Sequence, residues 1–204
     1  MTEILYLHGF LSSELSVKAV ATQQFFASHY PHVNLQVPRL TNYPSQVQDQ
    51  LETLIAARPA LTDGGLRVIG SSMGGFLATY LVEKYGGRAV LINPAVRPYA
   101  LLQDYLGQHQ NPYTRQDFEL VASDIEALVA LDTPAVRQPS HYRVLLQTGD
   151  ETLDYREAQN KYAGSSLVIE QGGDHSFTSY TSHLPEIADF LLARDAVIAA
   201  PENP

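Results

Sequence analysis

A serine hydroxyl becomes a useful nucleophile only when a base takes its proton and a carboxylate holds that base. Three stretches of this 204-residue chain carry such groups in the order serine, acid, histidine. The first is Gly70-Ser71-Ser72-Met73-Gly74-Gly75, which fits G-x-S-x-G with Ser72 at its centre, directly after an apolar run and directly before a helical pattern. A strand-to-helix turn this tight forces its central residue into a strained backbone, needs glycines where side chains would collide, and lifts the hydroxyl clear of the sheet. The second is Thr148-Gly149-Asp150-Glu151, and the third is Gly172-Gly173-Asp174-His175-Ser176-Phe177. His175 is the candidate base, while His29, His32, His109, His141 and His183 fall in segments that read as surface. Asp150 comes first after a strand end and is the candidate acid, with Asp154 and Glu151 as alternatives because a carboxylate there can equally cap the next helix.

Acyl transfer through a serine also needs two N–H groups aimed at the oxyanion. The amide of Met73, next after the nucleophile, should be one, and that of Phe10, in the glycine turn Leu7-His8-Gly9-Phe10, the other. His8 is expected to pack and hydrogen-bond in that turn beside the substrate rather than to act as a base. Two rival readings of the glycine turn fail on residue type. A phosphate loop needs Lys after its last glycine, where Phe76 stands, and the dinucleotide pattern G-x-G-x-x-G is missing.

For these groups to meet, their loops must leave the same edge of one sheet. Short β-rich runs do alternate with helical patterns, as in a parallel sheet covered on both faces. The candidate strands are Ile4–Leu7, Val33–Val37, Leu66–Ile69, Ala89–Ile92, Arg143–Gln147 and Leu167–Glu170, several of them nearly continuous Leu, Ile and Val. Helical spacing appears over Ser16–Ser28, Gln46–Ala57, Met73–Lys84 and Leu184–Leu192. Residues 94–140 break the rhythm: they show no convincing strand, with helical patterns at Tyr99–Leu106 and Asp117–Leu131 around Asn111-Pro112-Tyr113-Thr114, and read as a short helical lid inserted into a single domain spanning 1–195. A tail, 196–204, shows no packing pattern.

Composition closes off other classes. A net charge of −9 argues against nucleic acid as partner, and the lack of any cysteine excludes disulfides, thiolate catalysis and sulfur-based zinc sites. With no basic leader and no apolar stretch near the ~20 residues of a membrane span, the expectation is a cytoplasmic protein.

Laid out in order, these features resemble the α/β-hydrolase superfamily, and more narrowly the small bacterial YqiA-type esterases. The motifs of that family are matched by Leu5–Phe10, Gly70–Gly75, Asn93–Pro98, Asn111–Thr114, Gln147–Glu151 with Leu153–Tyr155, and Gly173–Phe177. The resemblance covers nearly the whole chain and implies a compact α/β-hydrolase fold, a mostly parallel sheet with helices on both faces. It also implies a Ser72, Asp150, His175 triad, hydrolysis of small-molecule esters or acyl thioesters, and no metal or organic cofactor. The chain departs from that family in one place, Asp174, where the family usually has Asn before the histidine; an inward-pointing carboxylate there would favour protonated His175. Arg97, in the lid segment, could pair with a substrate phosphate or carboxylate, or be a solvated guanidinium at a helix start. The competing class is a ligand-binding protein that keeps the fold without the chemistry.

Overall fold

In the computed structural model, residues 2–62 and 64–193 are described; the expected tail at 196–204 lies outside them. In chain order the elements are β1 (Thr2–Leu7), α1 (Val17–His29), β2 (Val33–Gln36), α2 (Pro44–Ala56), β3 (Arg67–Ser71), α3 (Met73–Tyr85), β4 (Arg88–Ile92), α4 (Pro98–Leu102), β5 (Gly107–Gln110), β6 (Asp117–Leu120), α5 (Ala122–Ala130), β7 (Tyr142–Gln147), α6 (Tyr155–Lys161), β8 (Ser166–Glu170) and α7 (Leu184–Leu192). Six strands form one all-parallel sheet in the order β2-β1-β3-β4-β7-β8.

Alternation along the central strands explains why the sheet is buried on both sides, since successive side chains point to opposite faces. Leu5 and Leu7, Val68, Ala89 and Leu91, and Val144 and Leu146 enter one core with α2, α3 and α5. Ile4 and Tyr6, Ile69, Val90 and Ile92, and Leu145 enter the other with α1 and α7. Helix α7 shows the matching 3.6 period, burying Leu184, Ile187, Ala188 and Leu191.

Strand order puts a crevice where the site residues are. From β1 the sheet extends to β2 on one side and to β3 on the other. The helices that follow these two strands, α1 and α3, cover opposite faces. Open α/β sheets bind ligands at such a switch point, outside the carboxyl ends of the strands.

The segment expected to be purely helical is not. Between α4 and α5 the chain forms an antiparallel hairpin, β5 on β6, registered by His109 opposite Phe118. In β6 the burial alternates: Phe118 and Leu120 go in while Asp117 and Glu119 stay out. That period of two was hidden by Leu120, Ile125, Leu128 and Leu131, whose spacing suits one long helix. Helix α5 is moreover no flap, for its Ile125 and Leu128 belong to the main core. No helix among the described residues is long and apolar enough to cross a membrane.

Candidate active site

The bend between β3 and α3 is built from close backbone contacts that only glycine permits. A Cβ on Gly70 would lie 2.4 Å from the Gly74 carbonyl oxygen, and one on Gly74 would lie 2.0 Å from that of Leu7. Ser72, caught between them, has φ 55° and ψ −122°, a left-handed conformation that costs a residue with a side chain ~1–3 kcal/mol. Its backbone is over-determined: its N–H donates to the Ile92 carbonyl at 3.0 Å and its carbonyl accepts from Ala95 at 3.0 Å.

Side chains from three loops converge on its hydroxyl. His175 Nε2 lies 3.0 Å from Ser72 Oγ, and His175 Nδ1 lies 2.8 Å and 3.0 Å from the two oxygens of Asp150. An ionised carboxylate can only accept, so Nδ1 carries the ring proton and Nε2 presents its lone pair to the serine O–H. Asp150 Oδ1 also accepts from the amides of Thr152 (2.9 Å) and Leu153 (2.8 Å), and the carboxylate is only 2% exposed. The alternatives to it are occupied elsewhere: Asp154 caps α6 by accepting from Arg156 N–H, and Glu151 accepts from the backbone N–H of His175 at 2.9 Å, which holds its carboxyl below the usual range.

The loop after β1 presses on the same serine. A Cβ on Gly9 would sit 3.2 Å from Ser72 Cβ. Phe10 anchors that loop, packing edge-on against His109 and Phe118 of the hairpin with ring centroids 6.2 and 6.0 Å apart. Buried Asn111 fixes the hairpin tip. It donates to the Ser12 carbonyl and to Asn42, and accepts from the amides of Tyr113 and Thr114. Tyr113 is thereby held on the wall of a pocket of about 410 Å³ that also meets Phe10, Leu11, Ser72 and His175.

The two residues expected beside the substrate, His8 and Arg97, stand differently to the pocket. His8 lines the pocket, but its Nε2 accepts from Leu40 N–H at 3.1 Å and its Nδ1 is 3.0 Å from the Gly9 carbonyl, so both ring nitrogens are used within the protein. Burial lowers its pKa and keeps it neutral. Arg97, expected to pair with a substrate phosphate or carboxylate or to be a solvated guanidinium, is exposed and away from the pocket, its guanidinium 2.6 Å from Glu157 on α6.

Other positioning residues gave less warning in the sequence. Asn93, at the end of β4 with φ 39°, accepts from Gln147 N–H and donates to the carbonyls of Asp174 and His175. Gln147 accepts from the amides of Asp174 and Thr178 and donates to Glu170, which also accepts from Ser179 and pairs with His183. His183, expected at the surface, is thus part of the clamp on the histidine loop. Among the described residues no group of three or more His, Asp or Glu side chains is arranged to hold a metal ion.

The model of one protein family, described as uncharacterised protein family UPF0227, matches residues 3–192. The chain belongs to this family. Solved structures place the UPF0227 chain among the α/β hydrolases by fold. A protein of Agrobacterium vitis S4 solved as a candidate hydrolase superposes with a TM-score of 0.71 at 16% identity, covering 93% of this chain and 87% of that one. Mouse alpha/beta hydrolase domain-containing protein 10 gives 0.65 at 16% identity, with 92% and 88% covered. The esterase domain of a Rhodothermus marinus protein gives 0.62 at 16% identity, with 91% and 84% covered. The resemblance drawn from the six motifs therefore holds for family and fold.

Proposed function

We propose that this chain is a serine hydrolase that cleaves carboxylic ester or acyl thioester bonds of small substrates. The reading is carried by one observation, the unbroken hydrogen-bond chain from Asp150 through His175 to the strained Ser72 hydroxyl. Structural neighbours that include an esterase domain support it.

Ser72 Oγ attacks the carbonyl carbon as His175 Nε2 takes its proton, and Asp150 holds the imidazole in the tautomer that can accept it. The carbonyl oxygen becomes an oxyanion. The amide of Met73 is suited to receive it, because the first N–H groups of a helix have no acceptor within that helix. The Phe10 amide, in the loop packed on Ser72, is the second donor. Collapse breaks the bond to the leaving oxygen or sulfur, which takes the proton back from His175 and departs. Water, deprotonated by His175, then attacks the acyl-serine; the bond between the acyl carbon and Ser72 Oγ breaks, Oγ takes the proton back from His175, and the acid departs. Electrostatic support at the oxyanion and general-base help are the contributions these residues supply.

The test is p-nitrophenyl ester turnover by wild type and by Ser72→Ala. The variant should lose about 10⁵- to 10⁶-fold in kcat while keeping its circular dichroism spectrum. Wild-type-like activity in purified, folded Ser72→Ala would remove the proposal.

A further inference from the structure

The pocket beside Ser72 runs between α1 and the segment from His175 to Thr181. Pockets of this kind bind through apolar walls and a few placed polar groups, so polar wall groups that the protein does not satisfy itself indicate what the ligand carries. Two features of this wall converge.

Lys18 is the one Lys or Arg side chain in the wall. Eight other Lys and Arg side chains have a carboxylate within 4.0 Å. Lys18 has none among the described residues. Its ammonium donates to the Ser176 carbonyl at 2.8 Å, and two further N–H donors remain. The carboxylates of Asp174 and Asp150 face it from beyond ion-pair range, offsetting part of the pKa lowering that burial imposes.

The N-terminus of the 13-residue α1 supplies the second feature: Ser16 and Val17 line the pocket, Ser16 forms no side-chain cap, and no acidic residue occupies the first turn. The partial positive charge of the helix end adds to that of Lys18. A plain hydrocarbon acyl chain would leave both to water.

We propose that the pocket takes an acyl chain ending in a carboxylate, with the Lys18 ammonium as its ion partner. The inference rests on the serine-hydrolase reading and names its substrate class: half-esters or half-thioesters of dicarboxylic acids. Charge-assisted bonds of this kind are the strong ones, and the ammonium stays attached to the loop that carries His175.

The experiment compares kcat/KM for mono-p-nitrophenyl adipate and p-nitrophenyl hexanoate, which share leaving group and chain length. The wild type should favour the anionic ester about tenfold or more. Lys18→Met should bring that ratio to near one, and Lys18→Arg should keep most of it. A wild-type preference for the hexanoate overturns the inference, as does an equal loss on both esters in Lys18→Met, which would mean that Lys18 only holds the Ser176 carbonyl. Adipate itself should inhibit hexanoate ester turnover competitively in wild type and not in Lys18→Met. Failure of the underlying reading looks different: neither ester would be turned over, and a fluorophosphonate would leave Ser72 unlabelled.

Discussion

Ser72 holds a backbone conformation that a side chain resists, φ 55° and ψ −122°, at the one position where a hydroxyl is wanted. Strain of this kind is stored at functional sites and sustained by the surroundings, here by the Ile92 and Ala95 backbone bonds. A comparison of two variants isolates it. Ser72→Ala and Ser72→Gly both lose the bond to His175, but only glycine relieves the strain. Ser72→Gly should therefore be more stable than Ser72→Ala by about 1 kcal/mol, after the extra freedom of glycine in the unfolded chain is deducted. Urea unfolding of the two proteins checks this, and equal midpoints would mean that the bend is not strained. The G-x-S-x-G pattern was legible because its sterics leave so few residue types; a Cβ at Gly74 would lie 2.0 Å from a carbonyl oxygen. The acid was less legible. Asp150 and Asp154 are the same residue type four positions apart, and what separates them is which loop amides fold back onto each, the Thr152 and Leu153 amides onto Asp150 and that of Arg156 onto Asp154.

At the scale of elements, the histidine loop leaves β8 and is held by side chains from the ends of β4, β7 and β8: Asn93, Gln147 and Glu170. Hydrogen bonds from Ser179, Gln147 and His183 bring the Glu170 carboxyl down to about 2. Its folded pKa is below its unfolded value, so the stability it contributes is complete above roughly pH 4.5 and is lost as pH falls through that window toward 2. Glu170→Gln should flatten the dependence of unfolding free energy on pH between about 4.5 and 2 and lower stability at pH 7. Chemical denaturation at pH 7, 4 and 3 measures both, and parallel curves for the two proteins would contradict this account of the clamp. Asn93 and Gln147 fall within two of the matched motifs, but nothing in the sequence pointed to a partner for either, and Glu170 lies in no motif. By position alone, Gln147 and Glu170 read as the ends of candidate strands. The hairpin was missed for a related reason: strands of four residues, β5 and β6, give too short a run of alternation to outweigh the apolar spacing that continues into α5.

For the molecule as a whole, the parallel sheet was readable because its central strands are buried on both faces and so are written in Ile, Leu and Val. Strand order was not, since which neighbour β1 chooses is decided by packing of α1 and α3 on opposite faces rather than by any residue in β1. That order creates the crevice where the loops after β1, β3, β7 and β8 deliver Phe10, Ser72, Asp150 and His175, residues drawn from nearly the whole length of the chain. This delivery is what makes one serine reactive in the proposed reaction. Labelling by a fluorophosphonate, followed by mass spectrometry, reads that reactivity at the residue itself. Wild type should take one label, on Ser72, and His175→Ala should label slower by several orders of magnitude. Folded wild-type protein that takes no label, or that labels no faster than His175→Ala, would contradict the account.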